Sequence, residues 1–301
     1  MSFALVGLGL GDEKDITMRG FEIAKSADVV YLECYTAVLI SATVDRLAEF
    51  FGRPVVVADR EMVESGEVLN EAETGKSVAL LVVGDPFGAT THSDLVVRCN
   101  EKKIPVITVN NASILNAVGV CGLQLYRFGQ VLSLCFWTDT WRPDSWYDRL
   151  LSNRREGIHT LLLVDIKVKE ISDENLARGR KIYEPPRFMR INEAVQQVLD
   201  VEAKHKKGAI DEHTIGVGLA RVGAATQQIV AAPLKDLLQV DFGEPLHSVI
   251  VCGDMHEMEA EHVALFAQTA EHKEIILKKV NSRPPAVVTG SSAAVADGEE
   301  S

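Results

Sequence analysis

The feature that most constrains this chain is a series of short, unbroken apolar runs, each closed by a turn and followed by a helix-forming stretch. Phe3 to Leu8 runs into glycines. Asp28-Val-Val-Tyr-Leu, Pro54-Val-Val-Val-Ala, Ser77 to Val83 and Ile104 to Val109 follow. None of these runs alternates polar with apolar residues, so each predicts a strand covered on both faces. Residues 13–25, 43–51, 60–75 and 92–102 carry helical signals between them. In 43–51, Val44, Leu47, Ala48 and Phe51 share one face. Strands alternating with helices imply right-handed crossovers, and hence a parallel sheet.

After residue 112 the character changes. Ile114 to Cys121 reads as helical. Longer strand candidates then appear at Val131–Trp137, Thr160–Lys169, Thr214–Ala220, Gln228–Ala232 and Ser248–Cys252. One helix, about 190–203, lies among them and another spans 255–279. The expected fold class is α/β, in two units. Residues 1–112 form a mainly parallel amino-terminal domain, and residues 113–280 a second domain with a mixed sheet. Residues 281–301 hold Pro284-Pro285, small residues and a closing ADGEES. That stretch cannot bury enough apolar surface to order itself and is expected to be a disordered tail.

Composition narrows the function. The chain has 301 residues, 47% hydrophobic and 25% charged, which is ordinary for globular domains. Its formal net charge of −12 has the wrong sign for a phosphate-neutralising surface, so neither nucleic acid nor an anionic membrane is expected as a partner. No apolar window is long enough to span a bilayer, and the first apolar run lacks the basic lead of a signal peptide. The five cysteines are scattered without a CxxC pair. This fits free thiols in a cytoplasmic protein and provides no metal site.

Two glycine-bearing turns close strands of the first sheet. Gly7-Leu8-Gly9-Leu10-Gly11-Asp12 follows the first strand. A dinucleotide site would need GxGxxG with a ribose-binding acid downstream. Gly7, Gly9 and Glu33 suit it, but the third glycine position is Asp12, which would repel a pyrophosphate. The turn also offers Asp12 or Asp15 as a helix cap. The second turn, Gly84-Asp85-Pro86-Phe87-Gly88-Ala89-Thr90-Thr91-His92, sits where open α/β sheets bind ligands. Neither turn has the GKS or GKT of a phosphate loop, which favours an uncharged or cationic adenosyl compound over a nucleotide.

The three tryptophans fall within Trp137–Trp146, interleaved with polar residues. This is either a partner-facing or site-lining loop, or aromatic packing between domains. Aromatic faces attract fixed cations by ~0.5–2 kcal/mol. If the segment lines a site, Trp141 is the first candidate to hold a cationic product. His256, His262 and His272 share the last helix but not one face, so no metal cluster is expected. His247, after Gly243-Glu244-Pro245-Leu246, is the histidine best placed for a site role. No nucleophile-and-base set stands out.

These residues together resemble the diphthine synthases. The likeness is carried by GLGLGDEKDIT, VVYLECYT, VVVADRE, VVGDPFGATTHSDL, NASILNAVG, GLQLYRFG, FWTDTWRPDSW, DIKVKE, GRKIYEPPRFM, GLARVGA and GEPLHS, in order, over residues 1 to about 270. FWTDTWRP resembles the eukaryotic form in particular. The resemblance implies two α/β domains of the tetrapyrrole-methylase type with the cofactor in the cleft between them, in a homodimer. It implies S-adenosyl-L-methionine as cofactor and S-adenosyl-L-homocysteine as product. The protein substrate would be translation elongation factor 2, bearing a 3-amino-3-carboxypropyl group on a histidine. The amino group would be methylated three times and the carboxylate once, giving diphthine methyl ester. The family's cofactor contacts fall on Leu10, Asp85, Gly88, Ser113, Ile114, Val164, Val222 and His247. Val164 stands where leucine is common, a swap that a backbone contact tolerates. No general base is assigned. A tetrapyrrole-precursor methylase, a dinucleotide oxidoreductase and a nonenzymatic adaptor using the tryptophan segment are the alternatives.

Overall fold

A computed structural model describes residues 1–35, 42–171, 175, 177–180 and 182–280. The tail expected at 281–301 lies outside the described residues. The first sheet contains β1 (Ser2–Gly7), β2 (Val29–Glu33), β3 (Val56–Ala58), β4 (Ser77–Val82) and β5 (Val106–Val109). Its order is β3-β2-β4-β1-β5, and every pairing is parallel. Helices α1 (Met18–Ser26), α2 (Val44–Phe51), α3 (Arg60–Ser65), α4 (Asn70–Glu73) and α5 (Ser93–Glu101) cover it.

The unbroken apolar runs now have a physical reason. Successive residues of a strand point to opposite faces. Ala4 and Val6 of β1 enter a cluster with Ala24, Leu47 and Phe51, under α1 and α2. Phe3 and Leu5 enter another with Val63, Leu69 and Leu95, under α3 to α5. Both faces of β1 are buried, so neither can be polar.

The turns after β1, β4 and β5 meet at one edge of this sheet. Gly9 and Gly84 exchange backbone hydrogen bonds, 3.1 and 2.8 Å, and both adopt positive φ, +77° and +83°. Glycine takes that conformation without side-chain strain. Asn111, just beyond β5, donates from Nδ2 to the carbonyls of Gly7 and Asp15, each at 3.0 Å. A Cβ on Gly7 would lie 2.7 Å from that of Asn111, so the three turns close on one another without room for a side chain there.

The second half begins with α6 (Ile114–Ala117). It continues through β6 (Leu132–Ser133), α7 (Tyr147–Glu156), β7 (Thr160–Leu163), β8 (Ile166–Lys167), β9 (Arg187–Phe188) and α8 (Ile191–His205). It ends with β10 (Ile215–Ala220), β11 (Gln228–Pro233), α9 (Leu234–Leu237), β12 (His247–Val251), α10 (Glu257–Val263) and α11 (Ala270–Lys278). The second sheet has the order β11-β10-β12-β7-β6, antiparallel except for the parallel β6–β7 pair. One face packs against α7 and α8 through Leu150, Val195 and Val198. The other packs against α10 and α11 through Ala260, Val263 and Ile276. The α/β class and the parallel-then-mixed order of the sheets are as the sequence implies.

Four elements differ from the sequence expectation. The run Thr160–Lys169 is not one strand: β7 stops at Leu163, and Ile166–Lys167 turns away to pair with Arg187–Phe188. The charged Asp165 sits at the break. Its Oδ2 accepts the Phe136 N–H at 3.0 Å and its carbonyl accepts the Met189 N–H at 3.0 Å. In the expected strand Val131–Trp137, only Leu132–Ser133 pairs with β7. The expected helix 255–279 is two helices, the second capped by Thr269, whose Oγ1 accepts the His272 N–H at 3.0 Å. Helix α7 has no counterpart in the sequence pattern; its sequence is mostly polar, and only Tyr147, Leu150, Leu151 and Asn153 turn inward.

Asn111→Ala removes two cross-turn hydrogen bonds, each worth ~0.5–1.5 kcal/mol. A loss of about 1–3 kcal/mol is expected in the urea unfolding free energy, with an unchanged denaturant slope.

Candidate active site

A cavity of about 370 Å³ lies where the converged turns of the first sheet face the ends of β6, β7, β10 and β12. Seven of the eight residues singled out from the sequence line it: Leu10, Gly88, Ser113, Ile114, Val164, Val222 and His247. They come from six separate segments of the chain.

Asp85 is the eighth, and it is not part of the cavity wall. Its Oδ2 accepts from the Asn111 N–H at 2.9 Å and Asn110 Nδ2 at 3.0 Å; its Oδ1 accepts the Phe87 N–H at 2.8 Å. The carboxylate therefore ties the turn after β4 to the end of β5. Gly88 then lies flat against Ser113, where a Cβ would come within 2.6 Å of the serine Cβ. A side chain at Gly88 would intrude toward the cavity that this turn lines. It would first push Ser113 away. Ser113 caps α6, with Oγ accepting the Leu115 N–H at 3.2 Å and its own N–H bonded to Asn116 Oδ1 at 2.8 Å.

The opposite wall reaches across as well. Gly223, at φ +88°, sits against Leu10, whose Cβ would be 3.0 Å from a Cβ on the glycine. Arg221 is anchored beside it by Nη1 donating to the Phe242 carbonyl at 2.7 Å and Nε donating to the Thr226 carbonyl at 3.0 Å.

His247 is buried with both ring nitrogens committed. Nδ1 accepts the Ile191 N–H at 3.3 Å, and Nε2 lies 3.1 Å from the Glu244 carbonyl. These partners require a neutral ring with the proton on Nε2. Burial, with the Arg221 and Arg190 charges adding to it, holds its pKa below the ordinary 6.5. His247 is a wall, not a base.

Four further ionisable residues line the cavity and were not selected from the sequence: Tyr35, Arg60, Asp165 and Arg221. Burial, assisted by Glu33, pushes the Tyr35 phenol up to about 12, so it stays protonated. The Arg60 guanidinium lies 5.2 Å from the Tyr35 ring centre. Asp165 had a legible signal: an acid directly after the apolar run LLLV.

Other expectations are corrected. Glu33, required as a ribose ligand in a dinucleotide site, is 0% exposed, and its Oε1 accepts the Tyr35 N–H at 2.6 Å. Asp12 caps a single turn through the Lys14 N–H at 2.8 Å, while Asp15 Oδ2 accepts the Gly11 N–H at 2.7 Å. The tryptophans separate rather than form one wall. Trp146 is in the core, Trp137 packs at its margin, and Trp141 is 55% exposed and outside the cavity lining. A role for Trp141 against a cation in this cavity is not supported. Among the described residues no cluster of His, Cys, Asp or Glu could hold a metal. Nor is any described helix long and apolar enough to cross a membrane.

The model of the tetrapyrrole (corrin/porphyrin) methylases matches residues 2–238. The chain belongs to this methyltransferase family. Within it, the chain is 54% identical over 269 residues to the diphthine methyl ester synthase of Dictyostelium discoideum, covering 88% of this chain and 98% of that protein. The Homo sapiens diphthine methyl ester synthase is 54% identical over 270 residues, covering 87% and 94%. A solved diphthine synthase structure superposes with a TM-score of 0.75 at 33% identity, covering 91% of this chain and 100% of that one. A solved Entamoeba histolytica structure gives 0.80 at 47%, covering 89% and 99%. The family assignment and the methyltransferase class agree with the resemblance seen in the sequence, and they displace the oxidoreductase and adaptor alternatives.

The lowered pKa of His247 has a definite sign in stability. The unfolded chain takes up its proton near the ordinary value, before the folded protein does. The native state is therefore fully favoured above about pH 6.5 and loses ground as pH falls below it. His159, also lowered mainly by burial, acts the same way. Thermal midpoints measured at about pH 7.5 and about pH 5.5 should show a smaller acid-induced drop for His247→Phe than for the unmodified protein. The drop should persist in part because His159 remains.

Proposed function

We propose that this chain is an S-adenosyl-L-methionine-dependent methyltransferase of diphthamide biosynthesis acting on translation elongation factor 2. The acceptor is a histidine carrying a 3-amino-3-carboxypropyl group. Its amino group is methylated three times and its carboxylate once, giving diphthine methyl ester and S-adenosyl-L-homocysteine. The observation that carries this reading is the match over nearly the whole chain to relatives named for that ester, joined to a single cavity that gathers seven of the eight expected cofactor residues.

The cavity's chemistry suits an adenosyl sulfonium group. Its volume lies within the ~300–1,000 Å³ usual for small-molecule sites. It has the apolar walls Leu10, Ile114, Val164 and Val222, and glycine backbone at Gly84 and Gly88. Leu10, Gly88, Ser113, Ile114, Val164, Val222 and His247 would hold the cofactor, with Asp85 bracing the turn beneath. When bound, the cofactor supplies a methyl group already activated by a sulfonium. The protein therefore has no nucleophile to build, and its task is alignment, which can contribute ~7–11 kcal/mol. Neutral His247 adds no positive charge beside a cationic cofactor. Arg60 and Arg221 offer cations to the acceptor's carboxylate.

The protein works in this reading as a cytoplasmic homodimer, without nucleic acid or membrane as a partner. The net charge of −12 supports the last two points. Elongation factor bearing the unmethylated group, incubated with the chain and cofactor, should gain three methyl groups on nitrogen and one on the carboxylate by mass spectrometry. No mass gain would refute the reading. In isothermal titration with S-adenosyl-L-homocysteine, Gly88→Val should weaken binding by more than about tenfold, ~1.4 kcal/mol. Unchanged affinity would remove the turn after β4 from the cofactor site.

A further inference from the structure

We propose that Asp165 holds the acceptor amine, accepting a hydrogen bond from its N–H and so directing its lone pair at the methyl group in the first two transfers. This rests on the reading above and names the residue that the reaction lacks. Asp165 supplies the only carboxylate among the described residues lining the cavity. It stands at the point where the chain leaves β7, and three contacts fix it. Oδ2 accepts the Phe136 N–H at 3.0 Å, its carbonyl accepts the Met189 N–H at 3.0 Å, and Lys167 Nζ lies 3.7 Å from Oδ2. Lys167 is itself shared with Glu170 at 3.5 Å, and Glu170 is paired with Arg187 at 3.0 Å. The side chain keeps 18% of its surface accessible, so it is neither sealed in the core nor free in solvent.

The other ionisable groups of the cavity cannot do this. Both nitrogens of His247 have partners. Tyr35 stays protonated. Arg60 and Arg221 would repel an ammonium and attract a carboxylate.

Charge then sorts the two ends of the acceptor. Asp165 draws the amine and repels the carboxylate, while the arginines do the reverse. In each amine step the nitrogen lone pair forms the N–C bond, and the electron pair of the broken C–S bond stays on sulfur. The amine enters as an ammonium, so one proton leaves to solvent before each transfer, three in all. Asp165 opposes that loss, because a nearby anion favours the charged ammonium. It is an anchor, not the base. The neutral amine keeps two N–H groups for the first transfer and one for the second, but none once the third proton has left, so the hydrogen bond orients the first two transfers and is gone at the third. The head group is released from its directional tether, and the carboxylate follows as the last acceptor.

The test uses the full chain with Asp165→Asn, which retains an acceptor for the Phe136 N–H. Elongation factor is supplied in two forms, with the unmethylated group and with the amine already trimethylated. Amine methylation should fall by about tenfold or more in kcat/KM, and its loss should exceed that of carboxylate methylation by a similar factor. The rising limb of the amine-step pH profile should move to lower pH, since the amine then loses its proton more readily. Asp165→Glu should restore part of the rate. S-adenosyl-L-homocysteine affinity should stay within about twofold. The assignment is overturned by wild-type amine rates, by an unmoved pH profile, by equal losses at both steps, or by weakened S-adenosyl-L-homocysteine binding. If the unmodified chain methylates neither form, the underlying reading fails and this assignment falls with it.

Discussion

The backbone exchange between Gly9 and Gly84 is the joint on which the cavity depends. It locks the turns after β1 and β4 edge to edge, and it needs positive φ at both positions. Asn111 and Asp85 then fasten the end of β5 to the same joint. Once these turns are fixed, Leu10 and Gly88 have defined positions. Ser113 and Ile114 are set by the short helix that begins beside them. The site is thus a product of strand order. β1 lies between β4 and β5, so the turns closing these strands emerge as neighbours although they are distant in sequence.

The amino-terminal sheet was largely legible because each of its strands must be apolar on both faces. Phe3 and Leu5 feed one core, Ala4 and Val6 the other, and an unbroken run is the direct signature of that arrangement. The second half was harder to read. At Thr160–Lys169 the run of hydropathy suggests one long strand, yet a single acid redirects the chain into a different sheet. What decides this is the Asp165 bond to the Phe136 N–H, a pairing between residues 29 positions apart. Local periodicity carries no information about it. Helix α7 is masked in the sequence for a related reason. Few of its residues are buried, and Trp146 and Tyr147 at its start belong to an aromatic segment that looks like a loop.

The site residues divide along the same line. Those on glycine turns are visible in the sequence, because a glycine run after a strand signals close approach of backbone to something. The resemblance to known relatives adds Ser113, Ile114, Val164 and Val222, and it agrees with His247, already marked by its place after the Gly243–Leu246 turn. Asp85 stands out just as clearly as these, but its carboxylate works on neighbouring backbone instead of facing the cavity. Tyr35, Arg60 and Arg221 gave no local signal, since only the tertiary fold brings them to one wall. The tryptophan cluster is the converse case. It is conspicuous as a pattern, yet the fold distributes Trp137, Trp141 and Trp146 among three different surroundings.

The contact of Gly223 with Leu10 bears on how the molecule behaves as a whole. It places a seam between the two sheets directly beside the cavity. A ligand held there grips residues from both sides of the seam, so its binding energy is shared by halves that have separate apolar cores. Mass action then couples their melting: at a ligand concentration a hundredfold above Kd, the bound form gains about 2.7 kcal/mol against any state in which either half has opened. Saturation would therefore make two separately cored halves lose their structure as one unit.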